Sequence, residues 1–239
     1  MAKGIGMIGK RAMMRFDMKL GGSLALACAL ALAACGPAKP AKLPPPPPPP
    51  PPPPVAIVIP PKPYPPNNAS PVLTSPPLGS DGLFVSPNRN ITTAQTTWNL
   101  RAAYNVGALN CFGPANVEIL PNYKLFLKAH AKGLMAANRK VDAEFRKKYG
   151  TRFIPPREKY MTEVYNHFAT PPTLPHFCEA VVAMSKDAKL IKAVELDQFA
   201  ERSLPSIEIV FDDFYRRYDK YKLDLAEWNS KYAALYQTK

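Results

Sequence analysis

The sequence predicts an all-α fold, a bundle of about five helices that ends in one long helix. Three observations carry this. From Ile207 to the C-terminus, apolar side chains recur in steps of four and three. No stretch shows the strict apolar–polar alternation of a half-buried strand. Of the 30 prolines, 21 fall between Gly36 and Gly79. The C-terminal two thirds are therefore poor in the residue that helix interiors exclude.

Three parts follow from composition: residues 1–34 as a signal segment, 35–79 as a proline-rich linker and 80–239 as the helical domain. Residues 24–34 are an unbroken run of Leu, Ala and one Cys, with Lys19 upstream. A bilayer-spanning helix needs about 20 apolar residues, whereas a signal-peptide core needs roughly 7 to 15. The run ends in Leu32, Ala33, Ala34 and Cys35, which resembles the lipobox of bacterial lipoproteins. That resemblance implies cleavage before Cys35, acylation of its thiol and attachment to a membrane through an N-terminal lipid such as palmitate. Gly36 follows, where an Asp would favour inner-membrane retention in enterobacterial lipoproteins, so the expected location is the outer membrane, facing the periplasm. Cys28 is a weaker competitor, because Ala25 rather than Leu precedes it by three. Met18 opens a compact signal by itself, and a start there or at Met14 gives the same mature chain.

Residues 44–54 are consecutive prolines. Each ring fixes φ and removes an N–H, so the run forms neither helix nor sheet. It adopts extended polyproline II, at about 3.1 Å per residue. Val55, Ala56, Ile57, Val58 and Ile59 interrupt the prolines with high β-propensity, and residues 60–66 resume the pattern. The expected role is a disordered spacer, similar to the proline-rich stalks of envelope proteins. The alternative is docking, of the polyproline onto a partner or of residues 55–59 onto a sheet edge or onto the chain's own domain.

The first helix begins after Thr92 or Thr93, both good N-cap types, and runs to about Cys111. Trp98, Ala102, Val106 and Leu109 share a face. A second helical stretch opens near Asn116, is interrupted by Pro121, and runs from Asn122 to Tyr149, where Gly150 closes it. Its stripe is Tyr123, Leu127, His130, Leu134, Val141 and Phe145. A third spans about 157–169, with Met161, Val164, Tyr165 and Phe168 inward. A fourth spans about 176–194, with Phe177, Val181, Met184 and Ile191 inward. A short turn of helix at 196–202 precedes the last helix, which starts near Pro205, a residue suited to a first turn. Ile207, Phe211, Phe214, Tyr218, Tyr221, Leu225, Trp228, Tyr232 and Leu235 form its seam, with a period near 3.5. Aromatics fill six of the nine positions, which suits the spine of a bundle better than a tight two-stranded coil.

The net charge of +13 is unevenly placed. The signal segment holds five Lys/Arg and one Asp and the linker three Lys, leaving the domain 23 basic and 17 acidic residues. That mixture lacks the basic, aromatic-interleaved run of a nucleic-acid binder. Anionic lipid head groups, lipopolysaccharide or peptidoglycan carboxylates fit better, beside the plainer reading of a solvated basic surface, and the expected partner is an envelope protein or peptidoglycan.

Cys111 and Cys178 are the only cysteines in the domain. In an oxidising compartment they are expected to pair, with two buried thiols as the alternative. Glu163 and His167 lie four apart on one helical face, half of a metal site with no second half. Asp212 and Asp213 are adjacent and so diverge on a helix. Trp98, Tyr104, Asn105, Tyr165, Asn166 and His167 form a candidate groove for a sugar or peptide, although buried tyrosines more often serve packing. No nucleophile elbow, zinc-protease helix or phosphate loop occurs, so no catalytic, metal or cofactor residue is assigned. The expected function is a non-enzymatic binding or structural domain of the envelope, held off the membrane on its stalk. Two alternatives stand: a cell-wall hydrolase or lyase, and a subunit of a secretion or surface assembly.

Overall fold

A computed structural model describes residues 47–50 and 58–236. The motif Leu32, Ala33, Ala34, Cys35, the signal segment, and residues 44–46 and 51–57 of the proline region lie outside the described residues. The chain divides between Val55 and Ala56. In the first unit, residues 47–50 are exposed and without regular structure. The second unit carries everything below.

Among the described residues the fold is all-α, with six α-helices: α1 (Thr93–Asn110), α2 (Ile119–Ala129), α3 (Ala131–Tyr149), α4 (Ile154–Phe168), α5 (Leu174–Ala188) and α6 (Leu196–Tyr236). Among the described residues the only β pairing is an isolated bridge between Leu78 and Phe84. No described helix is long and apolar enough to cross a membrane.

Helix α1 is the centre and touches every other helix. Its start follows from a capping box: Thr92 accepts the Gln95 N–H at 3.2 Å, and the Gln95 side chain accepts the Thr92 N–H at 3.0 Å. Being central, it buries Asn99, Leu100, Ala103, Tyr104 and Gly107 beyond the predicted face, while Leu109 is exposed. Small residues permit the close packing. A Cβ on Gly107 would lie 2.7 Å from Val181 Cγ1 on α5. The Cys111–Cys178 disulfide staples the end of α1 to the start of α5, with Cα atoms 5.5 Å apart across a separation of 67 positions.

Four boundaries differ from the sequence reading. Helix α2 starts at Ile119 and passes through Pro121, because a first-turn residue needs no intrahelical N–H bond. The expected 122–149 helix breaks at His130, with φ −109° and ψ 16°. The apolar stripe runs on through this break, so periodicity does not reveal it. Helix α5 stops at Ala188, leaving Val194 exposed, and Glu195 then accepts the Lys192 N–H at 2.7 Å just before α6. Finally, α6 is continuous for 41 residues, with Pro205 inside it. An interior proline costs about 3 kcal/mol. Phe199, Ala200, Leu204 and Ile207 are all buried around it, and their packing holds one axis.

The predicted seam is the spine of the core. Ile207, Phe211, Phe214, Tyr218, Tyr221 and Trp228 are buried. Phe211 meets Phe168 and Phe177, each with ring centroids 6.0 Å away. Each such side chain contributes about 1.5–3 kcal/mol on burial. Leu235, at the far end, is 41% exposed.

The folded part begins well before Ser80. Residues 60–92 run antiparallel to α6. Trp228 Nε1 donates to the Pro60 carbonyl at 2.8 Å, Tyr218 Oη to the Ser70 carbonyl at 2.8 Å, and the Phe84 N–H to Asp212 at 2.9 Å. Asn67 donates to the Pro172 carbonyl at 2.7 Å. Proline lacks an N–H but keeps its carbonyl acceptor, so Pro60 is held by the Trp228 side-chain donor.

Candidate functional site

Two places gather chemistry-bearing side chains. The first is buried where residues 84–92 cross α6. Glu208 is 4% exposed. Its Oε2 accepts from Ser86 Oγ at 2.6 Å, and its Oε1 accepts from Asn88 Nδ2 at 2.8 Å and lies 2.8 Å from His167 Nε2. The chain of bonds continues through Asn99, which donates to Asn88 at 2.7 Å and accepts from Tyr160 Oη at 2.9 Å. One turn along α6, Asp212 pairs with Arg89, whose Nε donates to the Phe84 carbonyl at 2.9 Å.

Burial by itself raises the Glu208 carboxyl. The bond and charge of His167, with Ser86 and Asn88, outweigh it and hold the group below its ordinary 4.5. Burial pushes Tyr160 up to about 12. The His167 ring packs on Phe211 at 4.1 Å. A carboxylate with donors on both oxygens, beside a histidine fixed on an aromatic ring, fastens elements together.

The second place is an open cleft of about 540 Å³ between the start of α1, the end of α3 and the first half of α4. Gly150, at φ 62°, turns the chain from α3 toward α4. Pro155 and Pro156 then open α4. Arg157 of α4 pairs with Asp142 and donates to Asn138 of α3 at 3.0 Å, while Trp98 of α1 donates to the same Asn138 oxygen at 3.2 Å. These bonds fix the three walls.

Phe145 and Tyr149, four apart on α3, stack at 5.9 Å, and Tyr160 of α4 lies 5.4 Å from Phe145. Lys148, Lys159, Glu144 and Glu163 line the cleft with them. The Thr92 hydroxyl lies 2.9 and 3.0 Å from the two Glu144 oxygens. Lys159 and Glu163 sit 3.8 Å apart, with side chains 78% and 55% exposed. Lys148 Nζ lies 5.2 Å over the Tyr149 ring.

The residues grouped from sequence do not form one groove. Trp98 is buried and meets Tyr165 edge-on at 5.9 Å. Tyr104 is buried elsewhere, against Tyr123 at 5.0 Å and Phe126 at 5.3 Å. Asn105 is half-buried and Asn166 exposed, while His167 is committed to Glu208. The reason is rotational: on α1 and α4 these positions spread around the helix, and α1 is enclosed on nearly all sides. Glu163 faces Lys159 rather than His167, and among the described residues no three His, Cys, Asp or Glu side chains converge as a metal set. The cleft residues Phe145, Tyr149 and Tyr160 were missed as a site. Their signal was the overlap of Phe145/Tyr149 and Glu144/Lys148 at four-residue spacing.

No family model, curated protein or solved structure matches the chain.

Proposed function

We propose that the chain is an envelope lipoprotein, acylated at Cys35, whose helical domain is a non-enzymatic binding module on a proline tether. Leu32, Ala33, Ala34 and Cys35, followed by the proline run, support the anchor. Residues from Pro60 onward are docked along α6, so the docked segment begins about 25 residues after Cys35.

One observation carries the binding reading. The buried acids Glu208 and Asp212 are engaged in holding the fold, whereas the aromatic, mixed-charge cleft is open at the surface. Sites for small ligands combine an apolar lining with a few polar groups in this way. The target is an envelope protein or peptidoglycan. The test is in-cell crosslinking from position 149, with Cys35→Ser as control. Capture of the sacculus or of a discrete envelope protein, lost in Cys35→Ser, is the expected result. Crosslinks to neither would overturn it, and a multisubunit surface complex would favour an assembly subunit instead.

A second reading, a cell-wall hydrolase or lyase, draws on Glu144 and Glu163 sharing the cleft. Digestion of purified sacculi that disappears in Glu163→Gln would favour it.

A further inference from the structure

We infer that the cleft between α1, α3 and α4 takes a short zwitterionic peptide. This ligand presents free ammonium and free carboxylate groups along an aliphatic stem, the chemistry of uncrosslinked cell-wall peptides. The inference rests on reading the domain as a binding module.

The charge balance of the lining comes first. Two ammoniums, Lys148 and Lys159, and two carboxylates, Glu144 and Glu163, line the cleft, one of each sign on α3 and one of each on α4. A purely anionic or purely cationic ligand would meet like charges on one side, whereas a zwitterion finds a counter-charge at both ends. These groups are available. The one ion pair among the four, Lys159 with Glu163, is loose and mostly solvated at 3.8 Å, and the two Glu144 oxygens share a single Thr92 hydroxyl.

The aromatic floor selects against a sugar. A pyranose stacks on an open ring face. Here Lys148 lies over the Tyr149 ring at 5.2 Å, and Phe145 stacks with Tyr149 at an interplanar angle of 23°. Tyr149 thus already has Phe145 and Lys148 against its ring, and methylenes between two charged ends pack beside these aromatics without displacing either. The volume, about 540 Å³, falls in the range of roughly 300–1,000 Å³ typical of small-ligand sites.

The test is calorimetric titration of the full acylated chain in detergent micelles. The probe is the tripeptide Ala–γ-Glu–diaminopimelate. The comparators are the same peptide with its amines acetylated and its carboxyls amidated, and an N-acetylglucosamine disaccharide. We expect saturable binding of the free tripeptide and about tenfold or more weaker binding of the blocked one, the scale of a lost charge-assisted hydrogen bond. Lys159→Gln and Glu163→Gln should each weaken the free tripeptide by about five- to tenfold at unchanged circular dichroism, since both side chains are mostly exposed. Equal affinity for the blocked peptide, preference for the disaccharide, no saturable binding, or unaltered affinity in both variants would each overturn the inference. If crosslinking still captures an envelope target after such a result, the binding-module reading stands with a different ligand. Tripeptide binding without any envelope capture would instead sink the envelope placement and leave the ligand class intact.

Discussion

The indole N–H of Trp228 donates to the carbonyl of Pro60 at 2.8 Å, across 168 positions of sequence. Lys62 Nζ lies 5.8 Å from the centre of the same ring. The contact fastens the described segment that begins at residue 58 to α6. Trp228→Ala removes a buried aromatic and is expected to free the segment from residue 58 to about residue 66. Cleavage by proteinase K between Val58 and Leu73 should then accelerate several-fold while helical content is kept. Trp228→Phe, which keeps an aromatic ring but loses the indole donor and part of the buried ring area, should cost about 1 kcal/mol or more. Unchanged proteolysis in Trp228→Ala would mean that the segment is held elsewhere.

Glu208 joins residues 84–92 to α4 and α6 through Ser86, Asn88 and His167. Each buried polar group left without a partner costs about 1–3 kcal/mol, so Glu208→Ala, which strands Ser86, Asn88 and His167, should lose stability in chemical denaturation on at least that scale. Glu208→Gln keeps the shape but weakens the charge-assisted bonds, and about 1–3 kcal/mol is expected. A loss below 0.5 kcal/mol in Glu208→Ala, about the scale of a plain surface change, would show that the network does not fasten the fold.

The same group sets an acid limb. A carboxyl held below its ordinary 4.5 when folded contributes stability that is present above 4.5 and is lost as the pH falls through its folded-state value. His130 adds an earlier loss. Burial holds its imidazole below the ordinary 6.5, so destabilisation begins as the pH drops under 6.5, where the unfolded chain takes up a proton and the folded one resists. Tm measured from pH 8 to pH 3 should fall in two stages. Glu208→Gln should flatten the lower stage and His130→Leu the upper one.

Gly107 lies where α1 meets α5. A methyl there would stand 2.7 Å from Val181 Cγ1 and 3.2 Å from Val181 Cβ. Val181 is fully buried and β-branched, so it has little room to yield. Gly107→Ala should therefore cost about 1–3 kcal/mol by overpacking, against the helix-propensity gain of about 1 kcal/mol. Adding Val181→Ala should recover much of the loss. A Gly107→Ala protein more stable than the parent would contradict the packing described.

The helices were legible because their apolar periods are long and their proline punctuation is clear. The seam on α6, the Thr92 start of α1 and the Cys111–Cys178 partnership are features of spacing and residue type. The divergence of Asp212 and Asp213 was legible too: Asp212 turns inward to Arg89, while Asp213 pairs with Arg217 at 2.8 Å on the surface. What periodicity misses is what depends on tertiary burial. Pro205 reads locally as a helix start, yet the apolar residues on either side carry the helix through it. His130 sits inside a continuous stripe where the axis nevertheless changes. A docked polyproline segment has the same composition as a free one, so the contacts of Pro60, Asn67 and Ser70 left no trace in the pattern. The Glu208 network joins residues about 120 positions apart by hydrogen bonds, and the cleft arises from the turn at Gly150, which sets α4 against α3.

The proposed envelope placement turns on Cys35. The decisive measurement is the intact mass of the N-terminal peptide from protein extracted from membranes, alongside fractionation of a Cys35→Ser variant. A mature chain beginning at Cys35 with a diacylglyceryl group on its sulfur is expected, together with a Cys35→Ser protein that leaves the membrane fraction. A mature chain that starts elsewhere, or an unmodified Cys35 with unchanged membrane association, would contradict it.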